Sequence, residues 1–341
     1  MEYGAIDLHL RHSLIRVVDS EGAAVLERRV PTSVEGLRGI FAGRAAMRVL
    51  LEAGTDSEWV ATAVEGCGHT VIVADPNYAL MYGQRQRRIK TDRRDVAALA
   101  EACRRGIYRG AHRVSAAQRD RRRRLRVREQ LVRIRTKTIN LLRAQLRQEG
   151  YRLASGGAEA APARYARLTV PPALRAALAP LIDVLTQLRP LITQADEEAR
   201  TAAAADPIVR RLMTVPGVGP ITALSVRATV DDISRFRDAS SASAFFGLVP
   251  SEDSSADRHR RGRITKAGPP GPRSLLIQAA WVVWRHPTKA GAGLHAWVRQ
   301  LADRRGKRIA VVALARRLTR ILYALWRDAT DFTVTPARAA A

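Results

Sequence analysis

Two cysteines, Cys67 and Cys103, are the only thiols in this 341-residue chain, too few for a disulfide framework. The seven histidines are scattered, with no C-x-x-C or H-x-x-x-H spacing, which speaks against zinc and leaves oxygen ligands for any metal. No apolar run reaches the roughly 18 residues that a membrane span needs. Met1-Glu2-Tyr3-Gly4 opens without a basic segment leading into an apolar one, so a cytoplasmic location with no membrane contact is expected. Acidic residues are scarce as well: 32 stand against 58 Lys and Arg, a formal net charge of +26. Such a surplus repels itself unless a polyanion meets it, so nucleic acid leads as the partner class and a membrane surface trails. What is plentiful is hydrophobic content, 46% over a length sufficient for two cores, which fits a folded globular chain.

The first hundred residues read as alternating strands and helices. Ala5–Leu8, Ser13–Val18 and Ala24–Arg29 predict a β-meander with Asp19-Ser20-Glu21-Gly22 as a turn. A helix over Val34–Ala42, a buried strand Arg48–Leu51 ending at Glu52, a helix over Trp59–Glu65 and a strand Thr70–Ala74 follow. Lys90-Thr91-Asp92-Arg93-Arg94-Asp95 then opens another helix, with Thr91 as its N-cap and Asp92 and Asp95 on one face. Paired carboxylates there suit a shared metal ion, or simply an acidic first turn that complements the helix dipole. Asp7 and Glu52, each at the end of a predicted strand, tilt the choice, because ligands gather at the carboxyl ends of strands in open α/β sheets. One acidic cluster of Asp7, Glu52, Asp92 and Asp95 is expected.

From Ser115 to Glu149 the periodicity is wholly helical, and residues 119–137 carry nine Arg and one Lys against Asp120 and Glu129. Arg121, Arg122, Arg123, Arg124, Arg126 and Arg128 form a stripe suited to phosphates, with a solvated coiled-coil face as the alternative. Few aromatics lie nearby, so backbone or shape recognition is expected rather than base stacking. A second amphipathic helix follows over Pro172–Ala204, with Pro190 expected to kink or divide it. Pro216-Gly217-Val218-Gly219 lies between helical patterns and matches a helix-hairpin-helix turn, in which Gly217 and Gly219 contact phosphate, or a plain turn between packed helices. Helices are expected over Ala223–Val230, Ala239–Phe245 and Ile309–Arg327, with Trp281 and Trp284 in the core. Ser251–Gly268 reads as a polar, basic surface loop in which Arg263 and Lys266 are candidate phosphate contacts.

The order of the first elements resembles the ribonuclease H-like fold in the form used by RuvC-type Holliday junction resolvases, which hold two Mg²⁺ ions on four carboxylates. Further on, Gly247-Leu248-Val249-Pro250, then five residues ending in Ser255, a basic run and Gly262-Arg263-Ile264-Thr265-Lys266-Ala267-Gly268 resemble the C-terminal domain of IS110-family insertion-sequence transposases, relatives of the Piv-type invertases. The Lys90–Asp95 stretch is the most specific element of the likeness. The resemblance implies Asp7, Glu52, Asp92 and Asp95 as catalytic carboxylates on Mg²⁺, two ions with Mn²⁺ as a substitute, and Ser255 as the nucleophile. It also implies a phosphoserine intermediate, DNA as substrate, a structured guide RNA encoded by the element, and a homo-oligomer, dimer or tetramer, whose serine and acidic cluster come from different subunits.

This sequence departs from the family in placing Ala256 after Ser255 and Ser254 before it, and Pro269-Pro270-Gly271-Pro272 where a Gly-Asn loop is usual. Leu8-His9-Leu10-Arg11 lacks the small residue and lysine common after the first Asp, and His9 reads as a simple turn or partner-side histidine, with reach to the metal site as the alternative. The expected fold class is α/β plus all-α. The expected division is a ribonuclease H-like domain over 1–112, a basic helical coiled-coil segment over 113–205, a C-terminal transposase domain over 206–330 and a disordered tail over 331–341. A RuvC-type junction nuclease and a non-enzymatic nucleic-acid-binding protein are the competing readings.

Overall fold

In the computed structural model residues 1–82, 91–255 and 258–333 are described, with the backbone alone at 253–255 and 258–261. The expectations placed on Lys90, on the tail beyond residue 333 and on the side chains of Ser254 and Ser255 lie outside the described residues. The chain divides into two compact units, Met1–Val114 and Ser115–Ala341.

In the first unit β1 (Tyr3–Asp7), β2 (His12–Val18) and β3 (Ala24–Pro31) form the antiparallel meander. Its second turn is held by the Asp19 carboxylate, which accepts the backbone N–H groups of Glu21, Gly22 and Ala23. Next come α1 (Val34–Phe41), capped by Ser33, β4 (Arg48–Glu52), α2 (Ser57–Glu65), β5 (Thr70–Ala74) and α3 (Asp92–Arg105). The sheet order is β3-β2-β1-β4-β5, with β1, β4 and β5 parallel. Adjacent residues of β1 and β4 point to opposite faces, and both faces are buried. Ile6 and Leu51 join Leu37 and Phe41 of α1 and Val60 of α2, while Ala5 and Leu50 join Val96, Leu99 and Cys103 of α3. This mixed sheet with helices on both faces is the arrangement expected of a ribonuclease H-like domain.

The second unit opens with α4 (Ala116–Gln148), α5 (Ala161–Ala166) and α6 (Pro172–Ala205). Ile139, Leu142 and Leu146 of α4 pack with Leu178 and Leu185 of α6. Of the two outcomes expected at Pro190, division does not occur: α6 runs on through both Pro180 and Pro190. Each proline removes one backbone donor, and burial of Leu185, Leu188 and Ile192 on either side of Pro190 holds the helix together across the gap. Then follow α7 (Pro207–Met213), α8 (Pro220–Val230) and α9 (Ala239–Phe245). Ala199 and Ala203 at the end of α6 belong to the same core as Leu212 and Leu224, so residues of 113–205 and of 206–330 share one unit.

Ser251–Gly268, expected as a loop, contains a β-hairpin of β6 (Pro250–Ser255) and β7 (Arg258–Ile264), with Ser255 opposite Arg258. Its polar composition gives no apolar alternation to read, because a two-stranded ribbon has no face that must be buried. α10 (Pro270–Arg285) begins inside the proline-rich stretch with proline in its first turn, where a missing N–H costs nothing. α11 (Ala292–Arg305) and α12 (Lys307–Asp328) complete the bundle. Trp281 and Trp284, expected as core, are half-buried at its edge, with Lys307 over both rings. Among the described residues no helix is long and apolar enough to cross a membrane.

Candidate metal centre and nucleic-acid surfaces

Asp7 ends β1 beside β4, whose Leu51 pairs with Ile6, so Asp7 and Glu52 stand at neighbouring carboxyl ends of parallel strands. α3 begins above them. The Thr91 hydroxyl accepts the Arg94 N–H as N-cap, which places Asp92 on the exposed side of the first turn and Asp95 on its buried side. Burial of Val96, Leu99 and Cys103 against the sheet fixes that rotation. Arg93 of the same turn pairs with Glu27 of β3 at 3.0 Å.

His9 enters the site from the β1–β2 turn. Its Nε2 lies 3.2 Å from Asp7 Oδ2 and 3.8 Å from Asp92 Oδ1. The turn is anchored by Thr32, whose hydroxyl donates to the His9 carbonyl at 2.7 Å and whose N–H donates to the Arg11 carbonyl at 2.9 Å. Asp7, His9 and Asp92 each offer one ligand atom, and these atoms lie within 4.8 Å of one another. Two oxygen donors and an imidazole nitrogen at that separation fit a divalent cation. The Asp7 carboxyl is held above the usual carboxylate range by burial, and the nearby charges of Asp95 and Asp92 push the same way, while His9 opposes them. Glu52 and Asp95, expected in one acidic cluster with Asp7 and Asp92, are both outside the three-residue group; the Glu52 carboxylate accepts the hydroxyl of Tyr82. Sequence reasoning brought His9 to the site only as the alternative and did not find Tyr82. The signal for His9 is its place two residues beyond a strand-end aspartate.

The arginines of α4 divide by direction. Arg121 bonds Asp206 at 2.8 Å, Arg128 pairs with Asp196, and Arg122 donates to the carbonyls of Ala228 and Thr229 at the end of α8, at 2.7 and 2.9 Å. These three hold α4 to α6, to α8 and to the start of α7. Burial lowers the Arg122 guanidinium from its ordinary value. Arg123 and Arg124 are exposed and share Asp120, and Arg126 is exposed. Gly217 takes φ +83°, and a Cβ on it would collide with the Ala279 carbonyl of α10, so close packing already explains this glycine. Gly219 is the N-cap of α8 with open space about it. Arg263 and Lys266 are exposed at the base of the hairpin, Lys266 with φ +55°. There Gly247 and Gly268 both take positive φ, a Cβ on either would strike backbone across the crossing, and Arg273 donates to the Ala267 and Phe246 carbonyls at 2.9 and 3.2 Å.

Residues 5–150 match a DEDD transposase profile of the IS110 type, and residues 209–295 match the profile described as Transposase IS116/IS110/IS902 family. A transposase for insertion sequence element IS1111A from Coxiella burnetii is 31% identical over 313 residues, 90% of this chain and 85% of its own length. A probable family 20 transposase from Pseudomonas aeruginosa is 30% identical over 95% of this chain and 97% of its own length. A transposase for element IS1328 from Yersinia enterocolitica is 27% identical over 84% and 85% of the two chains. With both halves matched in order and relatives aligned over nearly the whole length, the chain belongs to the IS110 family of insertion-sequence transposases.

Proposed function

We propose that this chain cuts and rejoins DNA strands through a serine ester, assisted by divalent cations at the acidic site. Asp7, Glu52, Asp92 and Asp95 hold one or two cations, Mg²⁺ or Mn²⁺, with His9 at the exposed rim. The reading rests on one observation above the others: Asp7, His9 and Asp92 bring their ligand atoms within 4.8 Å at the end of a buried strand. The raised Asp7 carboxyl agrees with it: burial raises it first and the charges of Asp95 and Asp92 add to that, a cost that a bound cation would offset. A cation bound there provides Lewis acidity toward phosphodiester oxygens.

Ser255 Oγ attacks the phosphorus, forming a P–O bond as the bond from phosphorus to the departing strand's oxygen breaks. That oxygen leaves as a hydroxyl with the serine's proton. Attack of a second strand's hydroxyl on the phosphoserine then restores Ser255 and joins the new ends, so neither oxidant nor nucleotide cofactor is needed. Nucleic acid is held by exposed cations, Arg123, Arg124 and Arg126 on α4 and Arg263 and Lys266 at the hairpin base, and by backbone N–H groups of the half-buried Gly217–Gly219 turn. Arg121, Arg122 and Arg128 contribute by fixing α4 in place. The polyanion is DNA together with a structured guide RNA, and the active assembly is a homo-oligomer.

The test is a reaction with element-end DNA stopped in denaturant and resolved on a denaturing gel. Wild type is expected to give a protein–DNA adduct that Ser255→Ala and Asp7→Asn both abolish. Cleavage that persists without an adduct in Ser255→Ala would instead make the chain a metal-dependent junction nuclease. Unchanged transposition with alanine at Asp92 and Asp95 would make the acidic site idle.

A further inference from the structure

Besides the exposed cations of α4 and the hairpin base, α12 carries a cluster, Arg316, Arg317 and Arg320, that has no carboxylate partner among the described residues. Along α4 a carboxylate accompanies most guanidinium groups: Asp206 with Arg121, Asp120 with Arg123 and Arg124, Asp196 with Arg128, Glu129 with Arg133 and Glu159 with Arg135. On α12, Arg316, Arg317 and Arg320 line one groove of about 720 Å³, together with Trp297 of α11 and Ala324, and among the described residues no acidic residue lines it. Among the described residues none of the three arginines has a carboxylate partner, and the Nε of Arg316 is buried without a hydrogen-bond acceptor. Arg327, at the far end, differs in being paired, with Asp328 at 2.6 Å.

Three guanidinium groups within little more than one helical turn repel one another, and partial burial of Arg316 adds a desolvation cost. The main anchor of α12 is its opposite face, through Leu314, Leu318 and Leu322. Arg317 lies 4.7 Å over the Trp297 ring, which fixes the guanidinium plane and leaves its edge N–H groups for an acceptor. From Arg316 to Arg320 the helix rises about 6 Å, so the three guanidinium groups form one compact cationic cluster. The short side chain of Ala324 keeps the groove open between the arginines.

We propose that this groove binds the phosphodiester backbone of a nucleic acid, as a site separate from the acidic centre and from α4. The proposal requires that the chain meets nucleic acid but not that Ser255 is a nucleophile, so its failure and the failure of the serine chemistry are distinguishable. The experiment uses the full chain and two probes, a DNA duplex of about 30 base pairs and a hairpin RNA of similar length, followed by fluorescence anisotropy from about 50 to 300 mM KCl. Relative to wild type, the Arg316→Gln/Arg317→Gln/Arg320→Gln variant is expected to bind at least about tenfold more weakly. Its plot of log affinity against log salt should flatten by about 2 to 3, since each neutralised phosphate adds roughly 0.9 to the slope on a duplex and roughly 0.7 on a single strand. A loss confined to the duplex assigns the groove to DNA, and a loss confined to the hairpin assigns it to RNA. Unchanged affinity and slope with both probes overturn the proposal. A second measurement needs no variant: phenylglyoxal modification of wild type, read by peptide mass spectrometry, should show Arg317 and Arg320 protected by at least one probe, and equal reactivity with and without both overturns the proposal.

Discussion

On the proposed reading of the acidic group as a cation site, His9 would bear on which cation it takes. An imidazole nitrogen beside two carboxylates suits Mn²⁺ better than Mg²⁺, which prefers oxygen and keeps its water. His9→Ala is therefore expected to shrink the rise in melting temperature produced by Mn²⁺ more than that produced by Mg²⁺, and Asp7→Asn to remove both, as read by differential scanning fluorimetry. Asp206 gives a second test. It caps α7 by accepting the Ile208 and Val209 N–H groups and faces Arg121 and Arg227. Burial works against its ionised form, but those hydrogen bonds and charges outweigh it and hold its carboxyl below the ordinary value. Asp206→Ala should cost about 2 kcal/mol near neutral pH, from a lost cap and two arginines left without their partner. A lowered carboxyl stabilises above its ordinary value, so the gap between variant and wild type should close as pH falls below about 4. Asp7 and Asp92 are legible in the sequence because strand ends and helix starts are local features. The partnership of Arg121 with Asp206 is not, since 85 positions separate them.

Among the elements, α3 is legible at its start, because Thr91 as N-cap, the acidic first turn and the apolar positions Val96 and Leu99 describe one amphipathic helix, while its end at Arg105 and the burial of Asp95 beside an exposed Asp92 are not. The β6–β7 hairpin is not, because its polar strands carry no alternation, and α6 defies its prolines because burial on both sides outweighs two missing donors. Yet the hairpin's anchor is written in glycine. Gly268 takes φ +72° with a backbone carbonyl where a side chain would stand, so Gly268→Ala combines strain with a collision. It should cost about 2 kcal/mol or more, measured as a lower urea midpoint. Gly219→Ala, at an N-cap with open space, should cost less than about 1 kcal/mol in the same measurement.

At the scale of the molecule, the first unit closes its own core on both sheet faces without any residue beyond Val114. Residues 1–114 expressed alone should therefore melt in a single cooperative transition followed by circular dichroism. The second unit differs from its reading in the sequence because Ala199 and Ala203 carry α6 into the C-terminal core, a join that no break in composition announces. The crossing at Gly247 and Gly268 has an engineering corollary. Since backbone clamps and Arg273 secure that neck from below, the ribbon beyond it is a detachable cassette. Grafting a relative's hairpin onto the same neck would exchange the segment that carries Ser255 while the supporting helices go on folding as before.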